Sequence, residues 1–283
     1  MLRFYRDLVP HGSLCFDIGA NKGDRTKVFL DLGAEVVTVE PVSTTFEKLS
    51  NQFSDNHRVK LMHKAIGSAR GRKEIHVANV SDVSTFSAAF IREYADQKEH
   101  NLKWDHTEMV DVITLDNLIE EFGEPAFCKI DVEGYELEVL KGLSNPINAL
   151  SLEYNARLKS MALECLNELD RFPNRLFNFS PYESMQLSLD HWHEPSAFKE
   201  FIKNLPLSIE TGDIYVKEAP PNAEGELIRY RVVTILPLPS AKSIDKSISS
   251  DFTFRLNGLE SKSTPLSFFN RMPCPETISK FGL

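Results

Sequence analysis

Residues 16–24 read FDIGANKGD, an apolar run that ends in an acid and continues into two glycines four residues apart. Glycines at such positions allow a tight turn and a close approach of the backbone to a ligand. A helix that begins near Asp24 would add free backbone N–H groups to the same turn. The stretch therefore predicts a strand, a ligand-binding turn and a helix, the opening unit of an α/β nucleotide-binding domain.

The spacing of Gly19 and Gly23 excludes two common nucleotide motifs. A G-x-G-x-x-G fingerprint counted from Gly19 would need glycines where Asn21 and Asp24 stand. A P-loop would place its second glycine one residue later and follow it with lysine, whereas Gly23 is followed by an acid. Asp17 and Asp24 also make the turn acidic, which suits a cationic ligand better than a pyrophosphate.

A second acid ends the next strand-like stretch, EVVTVE at 35–40. The carboxylate of Glu40 only accepts hydrogen bonds, and the 2′,3′-diol of a ribose offers two donors. An acidic nucleoside site without phosphate fits S-adenosylmethionine, which carries a sulfonium and an ammonium. Asp17, Gly19, Gly23 and Glu40, in this strand order, together favour that cofactor.

Strand-like and helix-like segments alternate along most of the chain, which predicts a doubly wound, mostly parallel sheet with helices on both faces. A polar insertion at about 80–107 interrupts the alternation, and such insertions commonly carry substrate contacts. We predict one domain over 1–218 and a C-terminal extension of unknown role over 219–283, where the composition changes. The predicted strands are 13–19, 35–40, 58–66, 73–79, 108–115, 126–132, 148–155, 175–180 and 212–218, and the predicted helices are 24–33, 43–53, 115–123, 134–143 and 160–172.

Composition and charge narrow the class of protein. The 283 residues are 42% hydrophobic and 26% charged, which is typical of a folded globular chain. A net charge of −9 without a Lys/Arg-rich run argues against nucleic acid as the main partner. Four cysteines without a C-x-x-C pair are typical of a reducing compartment. Since no signal peptide or apolar run of about 20 residues is evident, we expect a soluble cytoplasmic protein without a membrane span.

Longer stretches around these motifs resemble a known family, the FkbM-type S-adenosylmethionine-dependent methyltransferases. The resemblance covers roughly residues 13–155, with weaker agreement near 213–216, and KIDVEGYELEVLKG at 129–142 is its most specific part. The similar blocks are FDIGANKGDRT at 16–26, VVTVEPVSTTFEKL at 36–49 and ITLDNLIEEFGEPAFCKIDVEGYELEVLKGL at 113–143.

The resemblance implies a class I methyltransferase fold, which is a Rossmann-like, seven-stranded, mostly parallel sheet with a reversed last strand, here 212–218. Characterised members of the family are largely O-methyltransferases of natural products or sugars. We therefore expect S-adenosylmethionine as cofactor and O-methylation of a hydroxyl on a sugar, glycan or secondary metabolite. N-methylation and a non-catalytic S-adenosylmethionine-binding module are the alternatives, and the acceptor and the oligomeric state stay open.

The resemblance also implies a set of site residues at the strand ends. Asp131 follows the fourth core strand and faces the methyl group, with Glu133 two residues on. A hydroxyl acceptor needs a base within hydrogen-bond reach, and these two acids are the catalytic candidates. The alternatives for Glu133 are orientation of cofactor or substrate, and charge complementarity at the next helix. The predicted cofactor-binding residues are Asp17, Gly19, Asn21, Gly23, Glu40, His63, Ala65, Ser84 and Asp131.

A few other polar residues have competing interpretations. Lys129 lies inside the strand that leads to Asp131, where a buried partner for an acid is the favoured interpretation. Glu153 ends the next strand, either as a substrate or metal contact or as an exposed strand end. His191 and His193 lack further ligands and are interpreted as surface rather than zinc ligands. We predict no metal ligand, although paired acids leave open whether a divalent metal takes part.

Overall fold

A computed structural model describes residues 1–80, 83–95 and 101–220. Nearly all of the predicted extension 219–283 lies outside these residues, so its boundary stays a prediction. The strands are β1 (Leu14–Ile18), β2 (Glu35–Val39), β3 (Val59–Met62), β4 (Ala65–Ile66), β5 (Gly71–Val77), β6 (His106–Ile113), β7 (Phe127–Ile130), β8 (Ala149–Asn155), β9 (Arg175–Pro181) and β10 (Thr211–Glu218). The helices are α1 (Leu2–Tyr5), α2 (Asp24–Asp31), α3 (Ser43–Phe53), α4 (Ala88–Ala95), α5 (Leu115–Phe122), α6 (Glu136–Lys141), α7 (Lys159–Leu169) and α8 (Pro195–Asn204).

The central sheet has seven strands in the order β3-β2-β1-β7-β8-β10-β9. Strand β10 is antiparallel to both of its neighbours, and the other strand pairs are parallel. The chain order reverses between β1 and β7, which is where open α/β sheets bind ligands. The predicted class I methyltransferase fold with a reversed last strand is confirmed.

Each face of this sheet has its own hydrophobic core, because successive side chains of a strand point to opposite sides. Phe16 and Ile18 face one core, which is completed by residues of α5, α6, α7 and α8. Cys15 and Phe127 face the other core, which is completed by residues of α1, α2 and α3. The sheet is therefore covered on both faces, as the alternating pattern predicts.

Under α1 and α2, polar residues of five adjacent strands lie side by side in register. This polar row consists of Thr38, Asp17, Lys129, Ser151 and Tyr215, none of them more than 2% exposed. A second set of residues lies two positions nearer the carboxyl ends of the parallel strands. This set consists of Glu40, Gly19, Asp131 and Glu153, together with Asp213 on the antiparallel strand β10.

The single strand predicted over 58–66 is wrong, because the chain turns at His63 and Lys64. β3 pairs with β2, whereas β4 joins a separate three-stranded sheet of order β4-β6-β5. Val42, Ala65, Ile75, Val110 and Val112 give this second sheet its own small core. The apolar pattern runs through both strands, so it does not mark the break.

Some helices begin or are capped differently from the prediction. The sequence predicts Ser43 or Thr44 as the N-cap of α3, but the helix begins at Ser43 and its N-cap is Val42. The Ser43 hydroxyl donates to Glu108 at 2.7 Å. Helices α1, α4 and α8 have no counterpart among the predicted helices, and α4 lies inside the insertion predicted at about 80–107. The sequence also predicts acceptor contacts in the segment 180–210, which stay a prediction. α8 lies within this segment and buries Phe198 and Ile202 at helical spacing.

Within the described residues, no helix has both the length and the apolar character needed to cross a membrane. The cytoplasmic location stays a prediction.

Candidate functional site

A cavity of about 270 Å³ opens at the carboxyl ends of β1, β2 and β7. It is bounded on the other side by residues of the second sheet, among them Ala65 and Ile75. A larger cleft of about 1430 Å³, which includes Asn148 and Arg175, lies at the opposite end of the strands, away from the expected ligand edge. Most predicted site residues line the smaller cavity: Gly19, Asn21, Glu40, Ala65, Ser84, Asp131 and Glu133.

The turn after β1 is held against the end of β2 by the backbone. The N–H groups of Gly19 and Ala20 both donate to the carbonyl of Val39, at 3.0 Å each. Gly19 has a φ of +78°, and a Cβ built on it would lie 1.8 Å from the carbonyl oxygen of Asp131. The turn thus needs glycine for both its conformation and its close contact with the loop after β7.

Glu40 joins this turn to the start of α3. Its Oε2 accepts from the N–H of Asn21 at 3.0 Å, and its Oε1 accepts from the N–H of Val42 at 2.9 Å. Each carboxylate oxygen has a second acceptor site, so both can still receive a ligand hydroxyl. Burial raises the pKa of Glu40 to about 7, against the lowering effect of these two hydrogen bonds.

Three acids meet on the floor of the cavity below the turn. Asp131, Glu133 and Glu153 each offer a carboxylate oxygen, and these oxygens lie within 4.8 Å of one another. Burial, followed by the charges of Glu133 and Asp131, raises the pKa of Glu153 well above its ordinary value. Glu153 therefore holds a proton more readily than an ordinary carboxyl. Carboxylates of this spacing can also hold a divalent cation, but acids alone do not assign one.

Glu136 supports the loop that carries Asp131 and Glu133. Its Oε1 accepts from the N–H groups of Val132 at 3.1 Å and Gly134 at 3.2 Å. Burial raises the pKa of Glu136 to about 7. The helix begins at Glu136, two residues later than predicted, and this acid is not among the site residues that the sequence predicts. Its position in the first helical turn after an acidic loop is the signal that could have identified it.

Glu136→Gln is expected to raise the free energy of unfolding at pH 8 by on the order of 3 kcal/mol, and by much less at pH 4.5. The folded pKa of about 7 lies above the ordinary value of 4.5. The stability that this carboxyl contributes is therefore fully present below pH 4.5 and is lost as the pH rises through 7. Glutamine keeps the accepting oxygen but has no charge. Urea unfolding at both pH values measures the difference.

Glu138→Gln is the control, since its pKa is lowered by hydrogen bonds from Lys141 and Ser68. That variant should lose stability at pH 8 rather than gain it. An equal effect of Glu136→Gln at both pH values would contradict the assignment of the buried charge.

Three predicted cofactor-binding residues do not line the cavity. The Asp17 carboxylate accepts from Thr26 Oγ1 at 2.6 Å beneath the turn, and burial raises its pKa. Gly23 is the N-cap of α2. His63 is exposed, and its ring stacks on Phe46 at 4.6 Å. Their direct contact with a cofactor stays a prediction, and the structure shows Asp17 and Gly23 shaping the turn.

The two other histidines considered in the sequence lie beside β9. The backbone of His193 exchanges hydrogen bonds with Phe177 at 2.8 Å, and the rings of His191 and His193 are 5.6 Å apart. Within the described residues, neither belongs to a group of three or more potential metal ligands. His193 thus forms an isolated bridge to β9, and the carbonyl of His191 accepts from the side-chain amide of Asn178 at 3.2 Å.

A family model described as the methyltransferase FkbM domain matches residues 17–175. This chain belongs to that family. Membership confirms the predicted family, and with it S-adenosylmethionine as the cofactor. The matched range of the FkbM domain contains the turn after β1, Glu40 and the acidic floor, so the cavity lies within the part of the chain that carries the family pattern.

Among curated proteins, the FkbM domain is similar to the hexuronic acid methyltransferase AglP of Haloferax volcanii, with 27% identity over 154 residues. The alignment covers 53% of this chain and 58% of the relative, so the chain spans little more than half of that protein's length.

Solved structures with a related shape include a precorrin-6Y C5,15-methyltransferase from Geobacter metallireducens. It is 8% identical, covers 76% of this chain and 84% of its own, and has a TM-score of 0.41. An rRNA methylase from Streptococcus thermophilus is 13% identical, covers 77% and 94%, and has a TM-score of 0.39. Likeness at this level does not assign the fold of the FkbM domain; the strand order does.

Proposed function

We propose that this protein transfers a methyl group from S-adenosylmethionine to a hydroxyl of a sugar, glycan or secondary metabolite. The observation that carries the proposal is that Gly19, Glu40 and Asp131 meet on one cavity at the carboxyl edge of the sheet. These residues come from three different strand ends, in the family's matched range.

The cofactor would lie along the turn after β1. Both oxygens of Glu40 have acceptor capacity for the two ribose hydroxyls, and Gly19 lets the backbone approach the ligand closely. The acids on the floor would face the sulfonium and the ammonium, because the cationic end of the cofactor is stabilised by nearby carboxylates.

Methyl transfer is an in-line attack on the sulfonium methyl, and the domain chiefly has to place the two reactants. A hydroxyl acceptor also has to lose its proton. Asp131 and Glu133 are the proposed proton acceptors, and Glu153 joins them because its carboxyl lies within the same group of acids. A carboxyl whose pKa is raised toward neutrality is a more effective general base than an ordinary one.

The charge of the cavity favours an uncharged acceptor. Of the described lining residues, Glu40, Asp131, Glu133, Glu153 and Glu183 are acids, and Lys64 is the only cation. Two of these acids pair with cations outside the lining, Asp131 with Lys129 and Glu183 with Arg25, so three remain beside a single lysine. A carboxylate-bearing acceptor would meet this negative field, so a neutral sugar or alcohol hydroxyl fits better than a uronic acid. The same field supports the prediction that nucleic acid is not the partner, which stays a prediction.

Calorimetric titration with S-adenosylmethionine, S-adenosylhomocysteine and NAD is the first test, and we expect both adenosyl ligands to bind and NAD not to bind. Transfer of a labelled methyl group from the cofactor is then measured with neutral glycosides, uronic acids and amines. Faster transfer to neutral hydroxyls supports the proposal, whereas transfer only to amines favours N-methylation. A folded protein that binds neither adenosyl ligand would overturn it, and binding without transfer to any acceptor would favour a non-catalytic module.

A further inference from the structure

Lys129, in the polar row, is a cation that the sheet buries almost completely. It is 1% exposed, and its Nζ lies 2.7 Å from Asp213 Oδ1 and 3.1 Å from Asp131 Oδ2. Asp213 is itself 5% exposed, whereas the side chain of Asp131 is 35% exposed and lines the cavity. Lys129 thus joins a buried acid to an acid at the ligand-binding edge.

A buried ammonium is costly unless it is paired. Burial lowers the pKa of Lys129, but the charges of Asp131 and Asp213 outweigh this effect and raise it well above its ordinary value. Lys129 therefore stays charged. Among the described residues, other acids also act on Asp131, namely Asp17, Glu133, Glu136 and Glu153.

Asp213 is in turn fixed from the other side. Its Oδ2 accepts from the hydroxyl of Tyr215 at 3.2 Å, and that hydroxyl lies 3.1 Å from the hydroxyl of Tyr5 in α1. The two tyrosines are 0% exposed. The lysine is therefore held in one place by a buried hydrogen-bonded chain, and Asp131 is the only member of this chain that reaches the cavity.

We propose that Lys129 is a positioning residue, which is held by Asp213 and itself holds the Asp131 carboxylate as an oriented anion at the cavity floor. There the carboxylate meets the cationic methionine end of the cofactor. The inference rests on the proposed function and deepens it, because it assigns the affinity for the methionine portion to a lysine that touches no ligand.

A double-mutant cycle tests whether Lys129 acts through Asp131. Calorimetry gives the affinities of Lys129→Met, Asp131→Asn and the double variant for S-adenosylhomocysteine and for adenosine, which lacks the methionine portion. We expect each single change to weaken S-adenosylhomocysteine about tenfold or more, because a charge-assisted contact is lost or displaced. The double variant should be no weaker than Asp131→Asn, and adenosine affinity should stay within about twofold throughout.

Ser151→Ala is the matched control. Ser151 is the neighbour of Lys129 in the polar row, it is fully buried, and its hydroxyl has no hydrogen-bond partner among the described residues. Both ligand affinities should be unchanged. If Lys129→Met does not fold, Asp213→Asn replaces it, since it loosens the lysine while keeping a polar side chain, and it should weaken S-adenosylhomocysteine selectively.

The outcomes separate the two claims. Equal loss of adenosine and S-adenosylhomocysteine, or additive losses in the double variant, would overturn the positioning role and leave the proposed function intact. A wild-type protein that binds neither ligand would instead overturn the proposed function.

Discussion

Gly19→Ala should abolish binding of S-adenosylhomocysteine and lower the free energy of unfolding by more than about 3 kcal/mol. A Cβ on Gly19 would stand 1.8 Å from the backbone oxygen of Asp131, and backbone atoms cannot move aside as a flexible side chain can. The turn after β1 or the loop after β7 would have to shift, and both line the cavity. Urea unfolding and calorimetry with S-adenosylhomocysteine measure the two effects.

Gly12→Ala is the matched control for this prediction. Gly12 has a φ of +77°, almost the same as the +78° of Gly19, but a Cβ there would meet no atom within 4 Å. Its substitution reports the cost of the left-handed conformation alone, about 1 kcal/mol. If the two variants lost similar stability, the close contact with Asp131 would not be the reason for glycine at position 19.

Glu40→Gln should weaken binding of S-adenosylmethionine about 100-fold, because an amide NH₂ cannot accept a ribose hydroxyl and would face a backbone N–H. In the wild type, affinity should fall as the pH is lowered through about 7, where the buried carboxyl takes up a proton. The affinity falls rather than rises at low pH because the ribose hydroxyls bind the ionised carboxylate of Glu40 better than the protonated carboxyl. Calorimetry between pH 5.5 and 8.5 measures both the loss and the slope.

The variant should lack this pH dependence, since glutamine does not titrate. Glu108→Gln is the control, because Glu108 bonds Ser43 close to Glu40 but is not part of the cavity lining. It should keep the affinity at pH 8.5 and a pH dependence of the same sign. The midpoint should move to lower pH, because the charge of Glu108 contributes to the raised pKa of Glu40. A pH dependence that persisted unchanged in Glu40→Gln would show that another group causes it.

The parts of the site that the sequence predicts are those that depend on strand order alone. Glu40 and Asp131 each follow an apolar strand directly, and parallel strands bring their carboxyl ends to one edge. The contacts of Lys129 could be foreseen only in part. The sequence predicts that Lys129 pairs with an acid. It does not identify Asp213, which is 84 residues away and lies beside Lys129 only because of the antiparallel register of β10.

Two predicted cofactor-binding residues lie outside the cavity lining for local physical reasons, and their contact with a cofactor stays a prediction. His63 follows an apparent strand, and the chain turns there to start a second sheet whose core is separate. Asp17 is predicted from the acidic turn after β1, and in the structure its carboxylate accepts a hydrogen bond from Thr26 beneath that turn. The hydrophobic periodicity of a strand predicts on which face of the sheet a side chain lies. It does not predict how far a bound ligand extends along that face.

Strand β10 has a consequence for the order in which the protein is assembled during synthesis. In the described sheet, β9 pairs only with β10, which lies between it and β8. A nascent chain therefore exposes β9 before it has an edge to join, and both strands close the sheet together. The pairing of β10 with β8 also places Asp213 next to Lys129. The ligand-binding edge, although built largely from the first half of the chain, becomes complete only when one of the last described segments has left the ribosome.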